Sequence, residues 1–259
     1  MPEADGRRGR AALLAVALVA GVLPLATLVV RAAADEWRAP GLLPQRWGTR
    51  GVEVVLADGA VARAGVVNSL LVALVTTALA LVIAWPAARV VGAHTRGRGR
   101  LVWVVLGLPL LVPPYATGSG LAEWAIRLGV ADTRAGLVVA HLVMVVPYVL
   151  LVLAAGFGPD VRAREEAAAV HGAGPLRRLA WVTVPALAPV VAVAALFGFL
   201  VSWSQYGLSL GVGGGLPMLP LLLVPFVAGD PQVAAVLSLL FLAPALLAVW
   251  AAAALGRAR

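Results

Sequence analysis

Two adjacent glutamates, Glu165 and Glu166, stand in the stretch from Asp160 to Pro185, which reads DVRAREEAAAVHGAGPLRRLAWVTVP. Arg162, Arg164, Arg177 and Arg178 surround them. Acids and arginines at this density can make ion pairs, either within the chain or with a cation on a partner. Arg162 and Glu166 are four apart, so a bland pairing along one helix competes with a partner contact; it is worth about 0.2–0.5 kcal/mol. Bond-making chemistry has little material. The chain has no cysteine and no lysine, and all twenty of its basic residues are arginine. That excludes thiol catalysis, a zinc-thiolate site, a lysine Schiff base and the lysine of a phosphate-binding P-loop. Ser119 and His141 offer a Ser-His pair, but Thr117-Gly118-Ser119-Gly120 is not a nucleophile elbow. Three histidines lie at no metal-ligand spacing, and Gly213-Gly214-Gly215 has no lysine after it. The chemistry on offer is therefore docking, with no enzymatic activity and no metal or cofactor expected in the chain itself.

Local signals shape the elements that present those acids. Asp160 can cap a helix by accepting the free amides of its first turn. Gly172 can end that helix because it enters the left-handed conformation cheaply. Pro175 suits the first position of a second helix, where a missing amide does no harm. The reading is two short helices joined by an elbow. Ala163, Ala167, Ala168 and Ala169 leave the first helix slim, so that another surface can come close.

The surrounding chain sets where this knob sits. Of 259 residues, 62% are hydrophobic and only 12% charged, about half the charged share of a soluble domain, which is about 25%. The apolar residues come in long runs, and a span of about 20 residues crosses a bilayer core of about 30 Å. Six spans are expected: Ala11–Val30, Val66–Ala88, Leu101–Ala122, Ala135–Gly156, Pro185 to about Gly211, and Pro231–Leu255. Arg31–Arg63 is expected as an extracytoplasmic loop with Trp37 and Trp47 at the lipid boundary and a small hairpin near Glu53–Leu56 and Asp58-Gly59. Glu123–Arg134 reads as a short loop, Gly211–Gly215 as the end of the fifth span, and Leu216–Ala228 as a re-entrant or interfacial piece. Pro109, Pro113 and Pro114 should bend the third span, and Pro147 the fourth. With both termini and the loops 89–100 and 160–178 placed inside, the cytoplasmic face holds thirteen of the twenty arginines and five of the twelve acids. That asymmetry satisfies the positive-inside rule. It also accounts for the net charge of +8 through membrane topology, without nucleic acid as a partner.

Polar residues inside spans face protein or a water path. Ser202, Ser204, Gln205 and Tyr206 in the fifth span and Asn68 in the second are the candidates for lining a path, with interhelical hydrogen bonding as the plain alternative. An ion-coupled secondary transporter would need a charged relay inside a span. The six expected spans contain no Asp, Glu or Arg, and of the titratable candidates only His141.

Glu166-Ala167-Ala168, three residues, Gly172, nine residues, then Val182-Thr183-Val184-Pro185 resembles the EAA motif of permease subunits of bacterial ABC importers. His171 stands in a usually apolar place and Val184 where leucine is common. Asn68-Ser69-Leu70, Leu108 to Pro114, and Ser202-Trp203-Ser204-Gln205-Tyr206 followed by a glycine-rich break and Leu-Pro extend the likeness over about residues 64–255. The resemblance is to the methionine-importer-type, six-helix type I domain, nearest the polyamine, ferric iron, thiamine and oxyanion permeases; Met218 stands where several of those have threonine. It implies an all-α membrane protein with a cytoplasmic coupling helix between spans four and five. Residues 1–63 would form the first span and outer loop, and 64–259 the permease domain. Glu165, Glu166, Ala167, Ala168, Gly172 and Pro185 would couple to the ATPase. The implied partners are a cytoplasmic ATPase dimer that binds the ATP, a second permease of the same or a related chain, an extracytoplasmic binding protein, and the lipid of the cell inner membrane.

Overall fold

The computed structural model describes residues 2–57, 59–93, 104 and 107–257. It is 81% helical. In chain order, α1 is Pro2–Ala32, α2 Arg50–Leu56, α3 Val61–Ala93, α4 Pro114–Arg127, α5 Arg134–Gly156, α6 Pro159–Val170 and α7 Pro175–Arg178. Next, α8 is Val184–Trp203, α9 Tyr206–Gly213, α10 Leu219–Gly229 and α11 Pro231–Arg257. Strands β1 (Ala34–Glu36) and β2 (Arg46–Trp47) pair antiparallel. Among the described residues four helices are long and apolar enough to cross a membrane: Val61–Gly92, Arg134–Gly156, Pro175–Trp203 and Pro231–Ala248. Leu18–Ala32 and Leu219–Gly229 are shorter apolar helices. Residues 101–103, 105 and 106 of the expected third span and Arg96, Arg98 and Arg100 of the basic loop lie outside the described residues.

The chain divides into two compact units, residues 1–64 with 222–259, and residues 65–221. In the first, Gln232 holds the segment that follows α1 together. Its Nε2 donates to Ala32 O at 3.3 Å, Asp35 Oδ1 at 2.9 Å and Gly48 O at 3.2 Å. Gly51 lies against this side chain so closely that a Cβ would come within 2.8 Å of Gln232 Cγ. The expected hairpin at Glu53 is absent: Arg50–Leu56 is helical and Asp58 lies outside the described residues. The valines at 52, 54 and 55 suggest a strand, but Thr49 Oγ1 donates to Glu53 Oε1 at 2.8 Å and ties down the first helical turn.

The second unit packs α3, α5 and α8 through small and β-branched side chains. Ala80, Ala84 and Ala88 of α3 meet Val145, Val149, Leu153 and Leu187 in one buried cluster. A second cluster joins Val72, Leu137, Met144, Leu208 and Val212. The prolines of the third expected span break it outright. Leu108–Leu111 is a 3-10 turn, Val112 is extended, and α4 starts at Pro114, because a proline ring clashes with the preceding helical turn. The helix then runs on to Arg127, through part of the expected 123–134 loop.

The fifth span does not continue to Gly211: α8 ends at Trp203, Gln205 is extended at φ −74°, ψ 94°, and α9 restarts at Tyr206. Asp160 is not the cap of α6. Gly158 occupies that position and Pro159 the next, which leaves Asp160 in the first turn, where its charge favours the helix dipole.

Candidate functional site: the helix of residues 159–170 and its elbow

The end of α6 is built as a Schellman turn. Gly172 has φ +81°. Its amide donates to Ala169 O at 2.9 Å, and Ala173 N donates to Ala168 O at 3.0 Å, so the last carbonyls of the helix are satisfied. Gly174 then caps α7, with Pro175 in its first turn. Val170 is 86% exposed on one side of this elbow and Leu176 81% exposed on the other. Two large apolar side chains therefore project beside a turn whose surface is otherwise small or polar.

The inner and outer faces of α6 are sharply different. Val161, Glu165 and Ala168 form one helical stripe turned toward the bundle; Arg162, Ala163, Glu166, Ala167 and Ala169 are exposed. Glu165 is 8% exposed. Its Oε2 accepts from Arg89 Nη2 at 2.5 Å and its Oε1 from Thr183 Oγ1 at 2.5 Å. Glu166 is 70% exposed, and among the described residues its Oε1 accepts only a longer contact from Arg162 Nε at 3.2 Å. The two neighbouring acids thus face opposite ways. Thr183 closes a π-helical turn, Leu179–Thr183, that joins α7 to α8, and Pro185 lies in the first turn of α8.

The expected path residues divide. Ser202 and Gln205 are buried, whereas Ser204 and Tyr206 are exposed. Ser202 Oγ lies 2.8 Å from His141 Nδ1, and Ser209 Oγ 3.5 Å from His141 Nε2. Ser119 is not His141's partner: its Oγ donates to Ala116 O at 3.0 Å. Asn68 donates through Nδ2 to Pro217 O at 3.0 Å and accepts from Arg134 Nε at 2.9 Å. Next to it Ser69 Oγ accepts the amide of Leu219 at 2.8 Å, so the opening of α3 clasps the Pro217–Leu219 turn.

Arg89, Thr183, Arg134 and Ser209 were not singled out by sequence reasoning. Thr183 falls inside the motif, but nothing local marks its partner. Arg89 resembles any other arginine of the expected basic loop until the fold brings it to Glu165. Among the described residues no group of three or more acids or histidines is gathered for a metal.

No protein-family model matches the chain. It is 37% identical over 172 residues to the ABC transporter permease protein ORF1 of Streptomyces antibioticus, a match that covers 63% of this chain and 71% of that protein. It is 32% identical over 156 residues to the molybdenum transport system permease ModB of Azotobacter vinelandii, covering 55% of this chain and 69% of that one. The diacetylchitobiose uptake permease NgcG of Streptomyces coelicolor is 25% identical over 65% of this chain, a match spanning 55% of that relative. In three dimensions the chain is similar to one from a bacterial ABC transporter that imports the acidic polysaccharide alginate. The TM-score is 0.74 at 16% identity, with 97% of this chain and 96% of that one covered, a likeness of fold.

Proposed function

The chain belongs to the ABC transporter permease family, and from that premise we propose that it is the membrane-spanning permease subunit of an ATP-binding-cassette importer. It forms the substrate path and couples it to a separate cytoplasmic ATPase. It is a transport subunit of a multi-pass inner-membrane assembly, and the ATP belongs to the partner. The observation that carries the coupling role is the α6 elbow: a slim, alanine-faced helix, ended by Gly172, with Val170 and Leu176 exposed beside it and Glu166 turned outward. A groove on the ATPase would receive this elbow, with Glu166 meeting a cation there. Gly172 and Pro185 fix the shape of the turn and of the helix that follows, while Ala167 and Ala168 keep the approach close.

The finer assignments extend this reading. Residues 1–63 supply the first span and an extracytoplasmic loop, 64–259 the permease domain, and both termini lie in the cytoplasm, as the arginine distribution favours. A second permease, the same or a related chain, completes the path. The exposure of the Pro175–Trp203 span supports such a neighbour or lipid, since only 17% of its apolar window is buried within the chain. Asn68, Ser202, Ser204, Gln205 and Tyr206 are the path candidates, and an extracytoplasmic binding protein delivers the substrate. ATP-driven closure of an ATPase dimer would draw two such elbows together and switch the spans as rigid bodies. The relatives' names cover a chitobiose derivative, molybdenum, trehalose and osmoprotective compounds, so they point to no single substrate.

The test is Glu166→Arg in tagged chain recovered from its native membrane in mild detergent. The ATPase should co-purify with the wild type and be lost from the variant, while membrane insertion is unchanged. An ATPase retained by the variant, with transport at the wild-type rate, contradicts the assignment. The permease and binding protein that co-purify would narrow the substrate class.

A further inference from the structure

We infer that Glu165 is a positioning residue that latches the docking helix to two spans of its own chain, and that it makes no contact with the ATPase. The inference rests on the docking role of α6 and divides labour between its two acids: Glu166 serves the partner and Glu165 the interior.

Three elements converge on one carboxylate. Glu165 Oε2 takes Arg89 Nη2 at 2.5 Å from the cytoplasmic part of α3. Oε1 takes Thr183 Oγ1 at 2.5 Å from the π-helical turn that leads into α8. Thr183 is fully buried, and its hydroxyl also approaches Arg178 O at 3.3 Å, so the hydroxyl is held on both sides. Around the acid the packing is tight. Val161, one turn before Glu165, packs against the cluster formed by Ala84, Ala88, Val91 and Phe157. The ring of Trp85 meets that of Phe157 edge-on at 5.4 Å. A Cβ on Gly92 would come within 2.6 Å of Ala154 O, so α3 and α5 are in backbone contact at this level.

An ion pair in such a place is specific because its alternatives are costly. Moving α6 away from α3 would strand a mostly buried carboxylate without its cation. Charge-assisted hydrogen bonds are also shorter and more directional than neutral ones. A helix held by apolar contact alone can slide; one held through both oxygens of a carboxylate cannot slide without breaking a bond. A push on the elbow is thereby delivered to α3 and α8 together. π-Helical turns recur at functional sites, and here the turn places Thr183 on the face that reaches Glu165.

The chain has no cysteine, so paired spin labels can be introduced into it without background from its own residues. The experiment uses the full chain co-purified with its ATPase in lipid nanodiscs, labelled at Ala163→Cys on α6 and Val82→Cys on α3. Both positions are exposed. In the otherwise wild-type chain the distance between labels should be narrow and stay fixed when magnesium-ATP is added, because the two helices move as one body. Glu165→Ala and Arg89→Ala should each broaden it and let it shift with nucleotide, while the ATPase still co-purifies. The exchange Arg89→Glu with Glu165→Arg should narrow it again. If Glu165→Ala does not fold, Arg89→Ala, altered on the half-exposed side of the pair, carries the test. A distance that shifts with ATP in the unaltered pair, or stays narrow in both single variants, overturns the latch. Co-purification after Glu166→Arg reports separately on the docking reading, so the two can fail independently.

Discussion

Arg50 and Asp230, 180 residues apart in sequence, meet in a two-point ion pair: Nη1 donates to Oδ2 and Nη2 to Oδ1, both at 2.8 Å. Asp230 stands immediately before α11, and its Oδ1 also accepts the Val233 amide at 3.3 Å. The pair joins the first residue of α2 to the start of the last helix, within one compact unit.

The hydrogen bond from Arg50 holds the Asp230 carboxyl below its ordinary value of 3.8, and burial opposes this only in part. The same bond raises Arg50. A depressed carboxyl stabilises the fold above its unfolded value, and that stability drains away as pH falls through the folded value. The contribution of Asp230 to thermal stability should thus be constant from neutral pH to about 5 and decline below about 4. In Asp230→Asn this part of the decline should vanish. Arg50 is 44% exposed, so Arg50→Ala should cost no more than about 1 kcal/mol at neutral pH.

Gly172→Ala isolates the elbow. Open space surrounds the position, so no clash arises, and the cost comes from holding φ at +81° with a side chain present. That cost is about 1–2 kcal/mol. The expected result is a folded, membrane-inserted chain that co-purifies less ATPase. Gly174→Ala, where φ is −65°, should be near neutral in the same assay.

A glycine seam joins α4 and α9. A Cβ on Gly118 would come within 2.3 Å of Gly207 O, one on Gly207 within 2.7 Å of Tyr115 N, and one on Gly211 within 2.5 Å of Gly118 O. Gly207 and Gly211 are four apart, the small-residue spacing that lets helices touch in membranes. Gly207→Val should lower thermal stability in detergent by about 1–3 kcal/mol through overpacking. Gly120→Ala, with nothing within 4 Å, should be silent.

Ser202→Ala removes the 2.8 Å contact to His141. Interhelical hydrogen bonds of this kind are worth about 0.6 kcal/mol on average, so a small loss of stability is expected. Ser119→Ala should change nothing measurable, because that hydroxyl bonds only its own helix among the described contacts. A larger effect at Ser119 than at Ser202 would reverse the assignment.

What could be read from the chain was local. Gly172 and Pro175 act through their own backbone conformations, so the elbow was legible before any fold was known. The long apolar helices were legible for the same reason, as was the outward side of α6. The latch was not, because Arg89 and Glu165 are 76 residues apart and nothing at either position names the other. The break after Trp203 was missed because Ser204 and Gln205 are neither proline nor glycine. The strand expected near Glu53 failed because three valines weighed more than the Thr49–Glu53 contact. The packing of Gly118 against Gly207 and Gly211 left a sequence trace, the four-residue spacing, that composition-level reading passed over.

The π-helical turn at Leu179–Thr183 also sets an angular phase. A π turn holds one more residue than an α turn, and one residue of an α-helix corresponds to about 100° of rotation. Removing a single residue within this turn would straighten the connection into an ordinary helix without interrupting it. Every side chain on one side of the deletion would then rotate by roughly that angle relative to the other. Thr183 would swing away from Glu165 while the apolar face of α8 kept its place in the bundle. The extra residue therefore works as a phase shifter, keeping Thr183 and the apolar surface of one continuous helical run in independent alignment.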